Sequence, residues 1–484
     1  MRPVLTCLVP LAAACTAQFD TTSGPSFGGD QRAAHALQQL VAGDEVEGAV
    51  TEAGVLAAWP VAVNRFACRE GPCLDTRSAW LPDDGLLVAI GMDAVVERDP
   101  VDLAFALDGS GSMSGFEDAR AAAVEVALDR LTADDELAVW AFTSVAEELV
   151  ASEPLTDAHR AEVRIALQAL DGLPVVRELR GMQPEACSGT FDDLFVGAGP
   201  TDSADTGRPA VWADTGSWGG DLPEGAGALR DLVDTSSNER LGDQLLGLVC
   251  EDGSAIDEAA AMVLESLPDG TVERNRRMVL VTDLGGPSAQ TAVEAAAERF
   301  VGTSVLGVSA TSDTSAATAL AAAPGAHTLD APTLAHALAT WEARFDAFMD
   351  PLAWDVHVDL ADGSADDWVL ERRVGTTDAD RTGANAWFAS MGNGVLGAVL
   401  RPVGEDPDPP VLTLTFATPD GDTTAYVPTR WPYRLIHTDW GEGDDEVALS
   451  VAWRLALTEA LQAGDTSWAQ ELLEARRLEV RPTP

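Results

Sequence analysis

In the run "FALDGSGSMSG", Phe105 to Gly115, one carboxylate and two hydroxyls stand at alternate positions: Asp108, Ser110 and Ser112. Gly, Ser and Asp are ordinary turn residues, so the triplet alone fits a loop of no chemical consequence. Two other segments supply partners. "RMVLVTD" ends on Asp283, and "DGSAID" places Ser254 just before a helical pattern. Two carboxylates and three hydroxyls are all oxygen donors, the set a hard divalent cation takes. Magnesium in particular asks for octahedral geometry at ~2.1 Å and often keeps waters. Hydroxyls are neutral ligands, so an ion they bind retains most of its charge and can accept a carboxylate from another molecule. Mg2+ is the expected ion, with Mn2+ or Ca2+ as alternatives.

Those residues need a frame, and the hydrophobic pattern provides one. "VDLAFAL" (101–107) reads as a buried strand. "FEDARAAAVEVALDRL" reads as a helix with Ala119, Ala123, Val126, Ala127 and Leu131 on one stripe. "ELAVWAF" (136–142) is the next strand, and "DAHRAEVRIALQAL" the next helix, with Ala161, Ile165 and Leu167 among its apolar positions. "SAIDEAAAMVLESL" (helix), "RMVLVTD" (strand), "AQTAVEAAAERF" (helix) and "TSVLGVSA" (strand) continue the alternation, and "APTLAHALATWEARFDAFM" closes it as a helix. Alternating strands and helices predict an α/β fold with a doubly wound, mostly parallel sheet covered on both faces. Such sheets bind ligands where the carboxyl ends of their strands open, at a topological switch point. Asp108 and Asp283 both end strands, and Ser254 precedes a helix at the same rim.

D-x-S-x-S after an apolar strand, a later hydroxyl residue after Gly, and the aspartate ending "VLVTD" together resemble a von Willebrand factor type A domain. The motif resembles that family's metal-ion-dependent adhesion site. The resemblance covers about 99–345 apart from an insertion. It implies a Rossmann-like domain whose metal is held by Asp108, Ser110, Ser112, a threonine-equivalent position and Asp283. It also implies a protein partner that offers an acidic side chain to the bound metal. Ser254 stands where the family usually has threonine, and Thr190 in "SGTFDD" is a rival for that place. Leu284 stands where the family commonly has glycine. The flanks "WPVAVNRFACREGP" and "FMDPLAWDVHVDL", with the helical tail, resemble a bacterial group of exported type A proteins, which implies architecture more than activity.

Charge and cysteines bound the setting. The 484 residues suggest two or three domains. The formal charge is -49, and every basic residue is arginine. A chain this acidic repels nucleic acid and anionic membrane surfaces, so neither is an expected partner. The start, "MRPVLTCLVPLAAACTAQFD", reads as a secretory signal. "LAAAC" resembles the bacterial lipoprotein box, though its leucine sits four residues before Cys15 rather than three, and the likeness implies lipidation of Cys15. No other apolar run is long enough to span a bilayer, so any anchoring is expected through lipid, in the bacterial outer membrane or cell envelope. An exported chain meets an oxidising compartment, and its remaining cysteines then read as pairs. Proximity pairs Cys68 with Cys73 in "CREGPC", and bracketing of the insertion pairs Cys187 with Cys250, among the three connectivities that four cysteines allow. A zinc site competes, but no CxxC and no nearby histidine supports it.

The expected organisation is a signal over 1–15, a linker over 16–45, and an N-terminal β segment over 46–98 that packs with the later β domain. The type A domain follows over 99–349. Its stretch about 173–250, rich in Gly, Asp, Pro and Thr, reads as a surface insertion stapled at its base. After about 350 the period becomes two, which predicts an antiparallel, sandwich-like domain over 350–435 with a tight "PDGD" hairpin turn. A helical hairpin broken at Gly464 completes the chain over 436–484.

An enzyme is the rival class. Asp-Thr-Gly occurs twice, at Asp205 and Asp214, like the signature of aspartic proteases. That chemistry needs two carboxylates about 3 Å apart sharing one proton, each on its own rigid turn. Here both lie in one polar loop, as does Asp202, and the three lack the regular spacing of a known cation loop. The histidines at 35, 159, 327, 336, 357 and 437 are scattered, and His336 and His357 read as packing residues. Trp140, Trp341 and Trp453 read as core. No catalytic residue is expected. A structural envelope lipoprotein with a degenerate metal site is the alternative reading, and an aspartic-type peptidase the remote one.

Overall fold

Every residue of the strand Val101–Asp108 is buried. A strand covered on both faces has no polar side to show, and "VDLAFALD" is apolar except near its two ends. The computed structural model describes residues 71–81, 85–95, 99–195 apart from 114 and 183–186, 223–283 apart from 251–254 and 272, and 289–307. It also describes 326–330, 351–374, 386–389, 396–428 apart from 405, 406 and 419, and 446–479, with single positions near 40, 55 and 338–349. The expected signal, Cys15, the linker apart from 39–40, Cys68, Asp202, Asp205 and Asp214 lie outside the described residues.

In chain order the described strands are β1 (Gly71–Trp80), β2 (Leu86–Val95), β3 (Val101–Asp108), β4 (Glu136–Phe142), β5 (Ala146–Pro154), β6 (Asn275–Thr282) and β7 (Val301–Gly307). They continue with β8 (Ala326–Asp330), β9 (Pro351–Leu360), β10 (Trp368–Val374), β11 (Ala386–Ala389), β12 (Leu396–Pro402), β13 (Val411–Thr418) and β14 (Gly421–Pro428). The helices are α1 (Glu117–Arg130), α2 (Asp157–Asp171), α3 (Leu173–Met182), α4 (Ala226–Thr235), α5 (Leu241–Cys250), α6 (Ile256–Ser266), α7 (Gln290–Glu298), α8 (Glu446–Gln462) and α9 (Thr466–Glu479).

The strands form a six-stranded sheet in the order β5-β4-β3-β6-β7-β8 and two four-stranded sheets, β1-β2-β12-β10 and β11-β9-β13-β14. β3 pairs parallel with β4, and β7 parallel with β8, while β5 returns antiparallel on β4. The fold is thus α/β with a mixed, largely parallel sheet, accompanied by antiparallel sheets and a C-terminal helical pair. By backbone contacts the chain divides into two compact units. One comprises Asp102–Pro268 and Met278–Ala292, the other Met1–Val101, Asp269–Arg277 and Val293–Pro484.

In the first unit, α1 buries Ala119, Arg120, Ala123, Val124, Ala127 and Leu128. The buried stripe is therefore turned from the expected one: Val126 is half-buried, and an arginine occupies an inward position. α2 starts under a capping bond from the His159 N–H to Thr156 Oγ1 (3.2 Å). Its buried face is His159, Val163, Ala166, Leu167, Ala169 and Leu170, with Ala161 exposed and Ile165 half-buried. The stretch 173–250, expected as a surface insertion, carries helices among its described residues. α3, α4 and α5 lie within it and bury Leu173, Val176 and Leu179, Leu229, and Leu241, Leu245 and Leu248 respectively. Helical periodicity in "LPVVRELRGM" and "LGDQLLGLVC" outweighs the Gly- and Asp-rich composition around it. Cys187 and Cys250 are disulfide-bonded, with Cα atoms 5.6 Å apart.

In the second unit, β2 shows how a period of two builds a layered core. Leu86, Val88 and Ile90 point into a cluster with Val356 and Val358 of β9, Leu412 and Leu414 of β13, and Trp368. Leu87 and Ala89 point the other way, against Val399 and Val451, Ala452 and Leu455 of α8. β2 pairs antiparallel with both β1 and β12, which joins the N-terminal strands to the later sheet. β13 and β14 close their hairpin between Thr418 and Gly421, whose φ is +124°. α8 and α9 turn at Gly464 (φ +70°), and Trp453 Nε1 donates to the Leu472 carbonyl at 2.8 Å. Trp140, Trp341 and Trp453 are all buried, in keeping with their reading as core.

Candidate metal centre

The order β4-β3-β6 places a switch point between β3 and β6, because the chain leaves β3 on one side and returns to β6 on the other. Asp108 is the last residue of β3 and Thr282 the last of β6. Thr282 Oγ1 donates to Asp108 Oδ2 at 2.7 Å, so the two strand ends lie side by side at that crevice. Asp108 is fully buried, Thr282 is 1% exposed and Asp283 9%.

From Asp108 the chain turns sharply. The Ser110 N–H donates to Asp108 Oδ1 at 2.8 Å, and Ser110 Oγ lies 2.9 Å from Ser112 Oγ. The turn tightens into a short 3-10 helix, Gly111–Met113, which buries Met113 and leaves Ser112 exposed. Gly109 sits in close quarters: a Cβ there would meet Leu173 Cδ1 at 2.9 Å, which that side chain could yield by turning, and the Phe142 carbonyl oxygen at a tight 3.3 Å.

Burial raises the Asp108 carboxyl above its usual range. Hydrogen bonds from Ser110 and Thr282 oppose that rise, and the charge of Asp283 adds to it. Two carboxylates that feel each other at a buried crevice favour a positive charge between them. The donor set fits a hard cation as well. Adjacent corners of an octahedron with ligands at ~2.1 Å lie about 3.0 Å apart, close to the spacing of the two serine hydroxyls. Among the described residues, no group of three or more His, Cys, Asp or Glu side chains could hold a metal. The candidate centre therefore depends on its hydroxyls.

The expected residues fall as follows. Asp108, Ser110 and Ser112 come together, and Asp283 is adjacent to Thr282 at the same crevice. Ser254 lies outside the described residues. Its neighbour Ala255 donates its N–H to the Thr143 carbonyl (2.6 Å), and Thr143 Oγ1 donates to the Leu248 carbonyl (2.8 Å). Thr143 directly follows β4, whose last residue, Phe142, accepts the Gly109 N–H at 2.7 Å. Thr190 is exposed, and its N–H and hydroxyl both donate to Asp193, at 2.6 and 3.1 Å, in a local turn. Of the histidines, His159 is buried with Nε2 2.8 Å from the Leu137 carbonyl, and His357 is half-buried in β9. His336 lies outside the described residues.

Three residues at the centre had escaped the motif. Thr282 stands one place before Asp283 and binds Asp108. Arg120, 3% exposed, donates from Nη1 to the Asp108 carbonyl at 2.9 Å. Arg177 donates from Nη2 to the Gly109 carbonyl. An arginine among alanines on the inward stripe of α1 is the signal that would have found Arg120.

No family model matches the chain, and no curated protein does. Among solved structures it is similar to a von Willebrand factor type A protein from Catenulispora acidiphila, at 13% identity and a TM-score of 0.46, over 86% of this chain and 89% of that one. It is also similar to the ArnB paralog VWA2 from Sulfolobus acidocaldarius, at 10% identity and a TM-score of 0.40, over 85% and 91% of the two chains. A conserved hypothetical protein, BatB from Bacteroides thetaiotaomicron, is similar over 50% of this chain and 96% of its own, at 16% identity and a TM-score of 0.27.

Proposed function

We propose that the unit containing Asp108 and Asp283 is a type A interaction domain. It binds a divalent cation, magnesium ahead of manganese or calcium, and through it a protein partner. The observation that carries this reading is the pair of serine hydroxyls 2.9 Å apart, beside a buried carboxyl at the switch point. Asp108, Ser110, Ser112 and Asp283 would hold the ion, with Ser254 as the further hydroxyl at the threonine-equivalent position. When bound, the ion supplies a positive centre with a position open to an acidic side chain of the partner.

The chain's own residues do the rest. Thr282 and the Ser110 N–H hold one oxygen each of Asp108, which keeps the carboxylate fixed. The net charge of -49 repels an incoming carboxylate over the surface at large, so a local positive centre decides where it docks. The protein acts by binding, and none of its residues is assigned a catalytic role. Export and lipid attachment at Cys15 would place it on the cell envelope, facing partners outside the cytoplasm.

Calorimetric titration of the purified chain with MgCl2 and MnCl2 tests the reading. One site is expected in the parent, and none in Asp108→Ala. A parent that binds neither ion, or an Asp108→Ala protein that binds as the parent does, would leave a structural protein with a degenerate site.

A further inference from the structure

We infer that Arg120 and Arg177 are positioning residues of this centre, which lock the two peptide groups between Asp108 and Ser110 so that the serine hydroxyls are set for a cation before it arrives. The inference rests on the cation reading and deepens it. It starts from where each polar group of that turn goes. In the Asp108–Gly109 peptide, the carbonyl accepts from Arg120 Nη1 at 2.9 Å and the N–H donates to the Phe142 carbonyl at 2.7 Å. In the Gly109–Ser110 peptide, the carbonyl accepts from Arg177 Nη2 and the N–H donates to Asp108 Oδ1 at 2.8 Å. Each peptide plane is therefore held at both edges, and neither can flip without breaking a bond to a charged group.

The two guanidiniums come from different elements. Arg120 is on α1, the helix that follows the turn, and Arg177 is on α3. α3 also presses Leu173 against Gly109, where a Cβ would leave only 2.9 Å to Leu173 Cδ1. One helix thus packs on the turn and hydrogen-bonds it. Positive charge next to a cation site would weaken binding if it were unpaired, but both guanidiniums have carboxylate companions. Arg120 Nη2 lies 3.5 Å from Asp171 Oδ1, and Glu117 interacts with both arginines while accepting the Gly115 N–H at 2.8 Å. Asp171 and Glu117 thus act on Arg120 ahead of Asp108, whose own charge contributes less to it. Because the clamp acts through backbone carbonyls, it orders the turn without occupying a ligand position, which is how a preorganised site gains affinity.

Arg177 is half-buried and tolerates replacement better than the buried Arg120, so it carries the test. Arg177→Met keeps the packing and removes the donors, and Arg177→Lys restores a charged donor. In the whole chain, Arg177→Met should weaken manganese binding about tenfold or more at unchanged one-site stoichiometry, and Arg177→Lys should recover most of it. Without metal, hydrogen exchange of the segment 107–113 should quicken about tenfold or more in Arg177→Met while the melting temperature holds. An Arg177→Met protein with unaltered manganese affinity, or unaltered exchange at 107–113, overturns the clamp. A parent that binds no manganese while Arg177→Met still exchanges faster overturns the cation reading and leaves the clamp standing.

Discussion

Thr282 Oγ1 and Asp108 Oδ2 are 2.7 Å apart although 174 residues separate them in sequence. The bond joins the ends of two neighbouring strands and leaves Asp108 with a hydrogen bond on each oxygen, since Oδ1 accepts from the Ser110 N–H. A carboxylate oxygen has room for a second partner, so each can still face an ion. Thr282→Val keeps the shape and removes the donor, at a cost of about 1–3 kcal/mol for a buried carboxyl stripped of a partner. For a domain of this size that is a fall in melting temperature of roughly 2–4 °C per kcal/mol. Thermal unfolding by circular dichroism measures it, and an unchanged melting temperature would show that the bond contributes nothing.

The frame of the centre was legible in the sequence because its strands carry apolar runs that lead to a carboxylate, at the last residue of β3 and just after the last of β6. "VDLAFALD" and "RMVLVTD" gave strands, and Asp108 and Asp283 stand at the rim those strands define. What periodicity hid was charge facing inward. Arg120 lies on the buried stripe of α1, where a reading that assigns arginine to solvent turns the helix by part of a turn and promotes Val126 instead. The helices within 173–250 went unread for a similar reason, since the short apolar stripes of α3 and α5 are diluted by Gly, Asp and Pro nearby. The β5 strand was missed for a related reason: "AEELVASEP" is an edge strand with four exposed residues at its end, and it lacks the apolar run of its neighbours.

The Cys187–Cys250 disulfide spans 63 residues of sequence and ties the chain a few residues before Phe191 to the last residue of α5. A cross-link over that distance removes chain entropy from the unfolded state equivalent to roughly 4 kcal/mol. The double variant Cys187→Ser with Cys250→Ser should therefore unfold at lower denaturant, by up to about that amount. α5 also accepts the Thr143 hydroxyl at Leu248, beside the end of β4, so loosening its last turn should reach the centre. Urea unfolding of the oxidised chain against the double variant checks the first part, and manganese affinity the second. Equal midpoints would show that α3–α5 hold together without the cross-link.

Asp171 supplies a pH dependence with a definite sign. Burial is the main cause that pushes its carboxyl from the ordinary value of 3.8 up to about 6, Arg120 opposes the shift, and Glu117 and Asp118 add to it. A carboxyl with a raised folded-state value binds more protons folded than unfolded between those two values. Its contribution is therefore most favourable below about pH 4 and is lost as pH rises through about 6. Asp171→Asn removes that slope while keeping the side chain's size. Burial raises Glu147 and Glu148 in the same direction, so the difference between parent and variant isolates Asp171. Melting temperatures from pH 4 to 7.5 in chelator should fall more steeply for the parent than for Asp171→Asn. Parallel curves would mean that Asp171 ionises no differently in the folded and unfolded chains. Its side chain is 37% exposed, so solvent screens the effect and the slopes should differ modestly.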